Sequence, residues 1–269
     1  MGRLGNAPQL ALDLPPPPST RNPVKISLGL GRHSVGMLVG LWEREEPVDA
    51  ILFADTGDEW PETYAYRPYL DAWLAEVGYP PITVVRNASP IAGDASLSAE
   101  CLRKSVLPSP AYGGKSCSLK WKVEPQRKWV AAWPLARAAW ARGGEVMNLV
   151  GYDNSPKERL RAARGHLKWP TGHHNRYPLQ EWGWLLEDCI AAIVRAGLRV
   201  PPKSACVMCP NAKKPEIVQL ARAYPDLARR CITMESRAHA RGLRTVAGLG
   251  RRFSWTDYLA AEAPSLKPA

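Results

Sequence analysis

The chain has 269 residues, 45% of them hydrophobic, enough for one sizeable α/β domain with a buried core. No apolar run reaches the roughly 18–20 residues of a membrane-crossing helix, and the N-terminus lacks a charged-then-apolar secretory pattern, so a cytoplasmic protein with no membrane partner is expected. The net charge of +11 is unevenly spread: residues 103–128 hold 7 Lys and Arg against 1 acidic residue, and residues 201–269 hold 12 against 5. Such fields attract polyanions, nucleic acid among them, although a plain solvated basic surface has the same composition.

Residues 1–23, with Pro15 to Pro18 in succession, read as a disordered, polyproline-like tail. Strand and helix patterns then alternate. A short apolar strand is predicted over 24–28 and a helix over 34–45, with Val35, Leu38, Val39 and Trp42 on one face. A second strand follows at 48–54, a helix interrupted at Pro68 over 61–77, and a third strand at 82–85. Residues 88–118 lose periodicity and read as a long functional loop. A helix over 123–140 and a fourth strand at 146–150 restore the pattern. Residues 153–176 are a polar, basic loop holding His166, His173 and His174, which suit metal or phosphate but equally suit solvent. A helix over 184–196, a Cys-bearing loop and helices near 215–222 and 225–240 complete the chain. The alternation predicts an α/β domain over 24–200, with a mostly parallel sheet covered by helices on both faces. Residues 201–269 form a basic helical extension that begins with the Cys-x-x-Cys loop.

Two segments carry chemistry. Ser27-Leu28-Gly29-Leu30-Gly31-Arg32-His33-Ser34 runs from the first strand into a helix, a turn that aims backbone N–H groups and a helix N-terminus at one anion. It lacks the Gly-Lys-Ser/Thr ending of a Walker A loop. The second strand ends in Asp55-Thr56-Gly57, where open α/β sheets read a ribose or a metal; a polar turn serves as well. Far along the chain stands Cys206-Val-Met-Cys209. Two cysteines at that spacing reach one metal centre, and six cysteines in a cytosolic type of chain read as thiols or ligands rather than disulfides.

Taken in order, the turn from Ser27 to Ser34, then Asp55-Thr56-Gly57 with Glu62-Thr63, resembles the PP-loop adenine nucleotide alpha-hydrolase superfamily. The similarity is greatest to its phosphoadenosine phosphosulfate (PAPS) reductase-like family. Cys117-Ser-Leu-Lys-Trp-Lys122-Val-Glu-Pro125 and Pro178-Leu-Gln-Glu-Trp182 resemble two further segments of that family, and the whole covers residues 24–212.

The resemblance implies a Rossmann-like parallel sheet and an ATP-like or PAPS-like nucleotide held by Ser27, Gly29, Gly31, Arg32, His33, Ser34, Asp55, Thr56, Gly57, Gly151 and Arg159, with Mg²⁺. Asp55 and Arg159 are the expected catalytic residues, and Lys157 and Arg161 join Arg159 as phosphate clamps. It further implies a 4Fe–4S cluster, with Zn²⁺ as the other candidate, on Cys117, Cys206 and Cys209. Cys189 is the expected fourth ligand, Cys101 the substitute, and a buried free thiol the other reading of Cys189. The expected activity is ATP-dependent adenylation of a substrate for sulfur transfer, with a nucleic-acid acceptor and a sulfur-donor protein as partners. Two other readings stay open. One is a PAPS or adenylylsulfate reductase, although the Glu-Cys-Gly segment that carries the reductase thiol is missing and Cys231 would have to replace it. The other is a non-catalytic nucleotide- or nucleic-acid-binding protein with a structural metal. The loop departs from the common pattern at Leu28, Leu30 and His33.

Overall fold

The computed structural model describes residues 20–87, 95–164 and 171–262. The tail 1–19 and His166 lie outside them.

Strands β1 (Val24–Leu28), β2 (Ala50–Asp55), β3 (Ile82–Arg86), β4 (Val146–Val150) and β5 (His173–Arg176) form one five-stranded sheet in the order β3-β2-β1-β4-β5. Every pairing is parallel. The chain winds outward from β1 to β3, then returns to the other side of β1 for β4. The carboxyl ends of β1 and β4 therefore flank the switch point where open α/β sheets bind ligands.

The period of two along the strands sorts their residues between two layers. Ile26, Leu28, Ile51, Phe53 and Leu149 join a core with α1 (Arg32–Glu43), α2 (Pro61–Glu76) and α9 (Leu186–Arg195). Ala50, Leu52 and Val146 pack on the other side against Val130, Trp133 and Ala136 of α5 (Glu124–Ala132) and α6 (Pro134–Ala141). A polar stripe shares this second side. Lys25 Nζ donates to Ser27 Oγ (2.8 Å) and Gln126 Oε1 (2.7 Å), and Asn148 donates to Asn175. Burial pushes the Lys25 ammonium down to about 7.

A second core gathers α3 (Leu97–Lys104), the π-helical turn Leu119–Val123 after the short α4 (Ser116–Ser118), and α10 (Lys214–Ala223), α11 (Pro225–Ala240) and α12 (Trp255–Glu262). It takes Leu97, Cys101, Leu107 and Trp121 from ahead of residue 200.

Four elements differ from expectation. The stretch 88–118, expected as a loop, holds α3, a short 3-10 turn at Ser109–Tyr112 and α4 among its described residues, because Leu97, Cys101 and Leu107 pack in the second core. The helix over 61–76 runs through Pro68. An interior proline costs about 3 kcal/mol, and the buried side chains of Tyr66, Leu70, Trp73 and Leu74 at about 1.5–3 kcal/mol each outweigh it. The helix expected over 123–140 is two helices, because Pro134 forces Trp133 into an extended conformation (ψ 122°). Most of 153–176 is ordered as α7 (Pro156–Arg164) and the edge strand β5, whose sequence His-His-Asn-Arg carries no apolar strand signal.

Candidate functional site

The glycine-rich turn leaves β1 at Leu28 and enters α1 at Arg32. Leu30 sits at its centre with φ +56°, in the left-handed region that glycine prefers. Its side chain is fully buried, and that packing holds a leucine in a conformation costing about 1–2 kcal/mol. Ser34 Oγ accepts from the amides of Gly29 (3.2 Å) and Gly31 (3.3 Å) and donates to the Gly31 carbonyl. The convergent donors expected of an anion cradle are thus in place, gathered on one hydroxyl. Gly29, Gly31, Arg32 and His33 are half-buried, so the turn is reachable. Gly151, at the end of β4, approaches it so closely that a Cβ there would lie 3.1 Å from Ser34 Cα. His33 Nε2 lies 3.2 Å from Asp153 Oδ2, joining the two loops of the switch point. Burial raises the Asp153 pKa, but hydrogen bonds from Ser155 and the neighbouring His33 outweigh it and leave it below the ordinary value.

The cysteine loop lies on this turn. A Cβ on Gly31 would meet Ser204 Oγ at 2.9 Å, and one on Gly29 would meet it at 3.5 Å. Residues 205–207 run antiparallel to 58–60: Trp60 N donates to Ala205 O, Val207 N donates to Asp58 O, and Glu59 and Cys206 form a bridge. The Cys-Val-Met-Cys order explains the orientation. Val207 and Met208 are buried in the second core, which leaves Cys206 and Cys209 on a cavity wall.

That cavity has a volume of about 1020 Å³, and Thr56, Cys117, Cys206 and Cys209 all line it. Cys206 Sγ lies 3.3 Å from Thr56 Oγ1 and 3.7 Å from Glu59 Oε1. Lys122, on the π-helical turn, donates to Glu59 Oε1 at 2.8 Å and sits in the field of Cys206 and Cys209. The other oxygen of Glu59 is buried and has no hydrogen-bond partner among the described residues. Burial, then Glu59, push the Cys206 thiol well above its ordinary range, while Lys122 opposes them. Lys115, Lys157, Arg161, Lys203 and Arg251 complete a basic lining against Glu62, Glu158 and Glu216.

Cys117, Cys206 and Cys209 thus meet on one cavity, and their donor chemistry fits a thiolate-held group. Among the described residues, no three or more His, Cys, Asp or Glu stand close enough together to hold a metal ion. Cys189 does not join them. It is fully buried between α9 and α1, where a Cβ on Gly36 would lie 2.6 Å from its own Cβ, and burial lifts its thiol to about 12. Cys101 is buried in the second core in the field of Cys117, with its thiol pushed to about 12, first by burial.

Other expected residues also lie elsewhere. Both oxygens of Asp55 are engaged: Oδ1 accepts from Tyr64 and the Gly57 amide, and Oδ2 from Arg86 Nε and Nη2. Burial raises its pKa, and these bonds outweigh that and leave it low. Asp55 braces the end of β2 and offers no open oxygen to a ribose, a metal or a proton. Ser27 Oγ is likewise occupied by Lys25, Gln126 and Asn148. Gly57 (φ +75°) makes the turn against Ser96. Arg159 is exposed and lies outside the cavity lining, which takes Lys157 and Arg161 from the same helix. Arg161 lies over the Tyr152 ring at 4.3 Å. His173, the first residue of β5, packs on Trp140 of α6, and burial lowers its pKa to about 4. Cys231 is buried in the second core, and burial pushes its thiol far up, so it is no exposed nucleophile. Ser204, Glu59 and Arg251 were not singled out from the sequence. Of these, only Ser204 had a signal, its place beside the Cys-x-x-Cys turn.

Fold and site together define a parallel α/β protein with a glycine-rich turn after its central strand and a cavity lined by three cysteines beside it. No protein-family model and no curated protein matches the chain. Among solved structures, it is similar to phosphoadenylyl-sulfate (PAPS) reductase from Candida auris in a phosphate complex, with 17% identity over 68% of this chain and 76% of that one and a TM-score of 0.42. It is also similar to the U34-tRNA thiolase NcsA from Methanococcus maripaludis with its 4Fe–4S cluster, with 11% identity over 92% of this chain and 82% of that one and a TM-score of 0.40.

Proposed function

We propose that the chain is a PP-loop enzyme that binds ATP or a related adenine nucleotide and activates an acceptor by adenylation for sulfur transfer, with a nucleic acid as the acceptor. The observation that carries this reading is the contact of the cysteine loop with the phosphate turn: Ser204 sits on Gly31 while Cys206, two residues on, faces the cavity beside Thr56. A nucleotide's phosphates and a sulfur site then fall next to each other, which a two-step displacement requires.

In the first step an acceptor oxygen attacks the α-phosphorus, the bond to the β-phosphate breaks and pyrophosphate leaves. In the second a sulfur nucleophile attacks the activated acceptor and AMP leaves. The protein's contribution is positioning and charge neutralisation. The Gly29 and Gly31 amides release Ser34 Oγ and turn to phosphate oxygens. Lys157 and Arg161 neutralise charge from the β4 side. Cys117, Cys206 and Cys209 would hold a 4Fe–4S cluster, which supplies iron that binds sulfur. Lys122 offsets thiolate charge beside them.

The test uses protein purified without oxygen. Iron and acid-labile sulfide are measured in the wild type and in Cys117→Ala and Cys206→Ala, and both variants are expected to lose them. ATP affinity is measured in the wild type and in the Gly31→Val, Ser34→Ala double variant. Equal ATP affinity in the two proteins overturns the reading. Pyrophosphate release that rises when nucleic acid is added supports it.

A further inference from the structure

A loop of the C-terminal helical region reaches the same cavity, and neither the phosphate turn nor the cysteines account for it. Glu235 on α11 is buried, and its carboxylate gathers five hydrogen bonds from that loop and the first turn of α12: the Leu249, Trp255 and Thr256 amides and the Ser254 and Thr256 hydroxyls, at 2.6–2.9 Å. A Cβ on Gly248 would lie 2.3 Å from Glu235 Oε1, so the loop fits tightly around the carboxylate. The turn it holds closes through Ala247 N to Arg251 O and Arg251 N to Gly248 O. At its tip Arg251 has φ +65°.

A glycine would suit that backbone better, so the fold does not call for an arginine there. The guanidinium is nevertheless fixed in place. Nε donates to Pro110 O (2.6 Å) and Nη2 to Asn211 Oδ1 (2.9 Å), and the side chain lines the cavity with Cys117 and Cys209. Neither partner is acidic, and among the described residues Arg251 makes no ion pair. Lys115, on the same lining, also has none. Tyr112, next in sequence to the cavity's Gly113, is 44% exposed, and its hydroxyl accepts from the Leu107 amide. A fixed arginine and a lysine without ion pairs on one lining, with an exposed tyrosine next to it in the chain, are what a single nucleic-acid strand uses: cations for phosphates and a ring for a base. The cavity is large enough to take a nucleotide and a base splayed from the strand.

We propose that Arg251, held by the Glu235 loop and helped by Lys115 and Tyr112, binds a backbone phosphate of a single-stranded nucleic-acid segment whose target base enters the cavity beside the cysteines. This rests on the proposed function and adds the strand-binding residues to it.

The test measures binding of a fluorescent single strand of about 12 nucleotides, within the range of site sizes such grooves cover, to the intact protein. Anisotropy is read between about 50 and 200 mM salt, with ATP affinity measured on the same samples. Arg251→Gly keeps the positive φ, so the loop backbone survives while the guanidinium goes. It is expected to weaken strand binding about tenfold and to lower the salt slope by about one, with ATP affinity unchanged. Arg229→Ala, on the exposed basic face of α11, controls for a general field and is expected to change affinity less than about twofold. Wild-type strand affinity in Arg251→Gly overturns the proposal. So does an equal loss in Arg229→Ala. Tight ATP binding with no strand binding by the wild type defeats this inference and spares the nucleotide reading. Arg251-dependent strand binding without ATP binding does the reverse.

Discussion

Gly31→Ala tests the contact on which the site depends. The backbone at Gly31 has φ −105°, which alanine adopts freely, so the substitution introduces no dihedral strain. Its new methyl would meet Ser204 Oγ at 2.9 Å, too close for a carbon–oxygen contact, and Ser204 Cβ and N at 3.5 Å, an ordinary one. Only the hydroxyl is in the way. Replacing glycine by alanine at the start of α1 also carries a capping cost of about 0.5–1 kcal/mol, independent of Ser204. Crowding adds about 1–2 kcal/mol when a packed segment must shift. Gly31→Ala alone should therefore cost about 1.5–3 kcal/mol. In a Ser204→Ala background the clash is gone and only the capping cost remains. Urea unfolding of the wild type, both single variants and the double variant closes the cycle, with an expected coupling of about 1–2 kcal/mol. A coupling within about 0.5 kcal/mol of zero would show that Ser204 does not rest on Gly31, and the joined site would fail with it.

Cys189→Ala should cost about 1–2 kcal/mol through a small gap between α1 and α9, and leave iron or zinc content unchanged; loss of metal from the folded variant would refute the core assignment. Asp55→Asn should lower stability by about 1–3 kcal/mol near neutral pH, since charged hydrogen bonds from Arg86 and Tyr64 are lost. Asp55 has a folded pKa below its unfolded one, so its contribution is present above the unfolded value and lost as pH falls through the folded value. Wild type and Asp55→Asn should converge in strong acid, and a gap independent of pH would be the contrary result. Lys25 behaves in the opposite sense. Its folded pKa of about 7 lies below the ordinary 10.5, so the unfolded chain binds the extra proton between those values and stability rises with pH across that window. Lys25→Met should flatten that rise and add stability at and below pH 7; an unchanged slope by urea unfolding would contradict it.

Strand and helix periodicity made the sheet legible wherever apolar residues mark the strands. Val24–Leu28 and Val146–Val150 stand where the pattern puts them, and the others shift by a residue or two at their ends. β5 was invisible because an edge strand whose one inner neighbour contributes Asn148 to a polar stripe has no need of apolar residues. α3 and the π-helical turn were hidden for a different reason. Their apolar residues complete a core with helices about a hundred residues further on, and local periodicity does not report that.

The same distinction explains which site residues the sequence revealed. Motif position brought Ser34, Thr56, Cys117, Cys206 and Cys209 together beyond the carboxyl ends of β1 and β2. It could not tell which polar atoms would be left free there. Asp55 and Ser27 sit at motif positions but spend their hydrogen-bonding capacity on Arg86, Tyr64, Lys25 and Gln126. Arg159 is one helical face away from Arg161, and only packing decides which of the two meets the cavity. Cys189 follows a motif segment, yet an apolar helix face that must pack on Gly36 draws its sulfur into the core. Cys206 and Cys209 escape that fate because Val207 and Met208, between them, supply the burial the second core requires. A cysteine faces the cavity in this chain where neighbouring residues satisfy the core in its place, which makes local apolar pattern, as much as cysteine spacing, the determinant of the thiol wall.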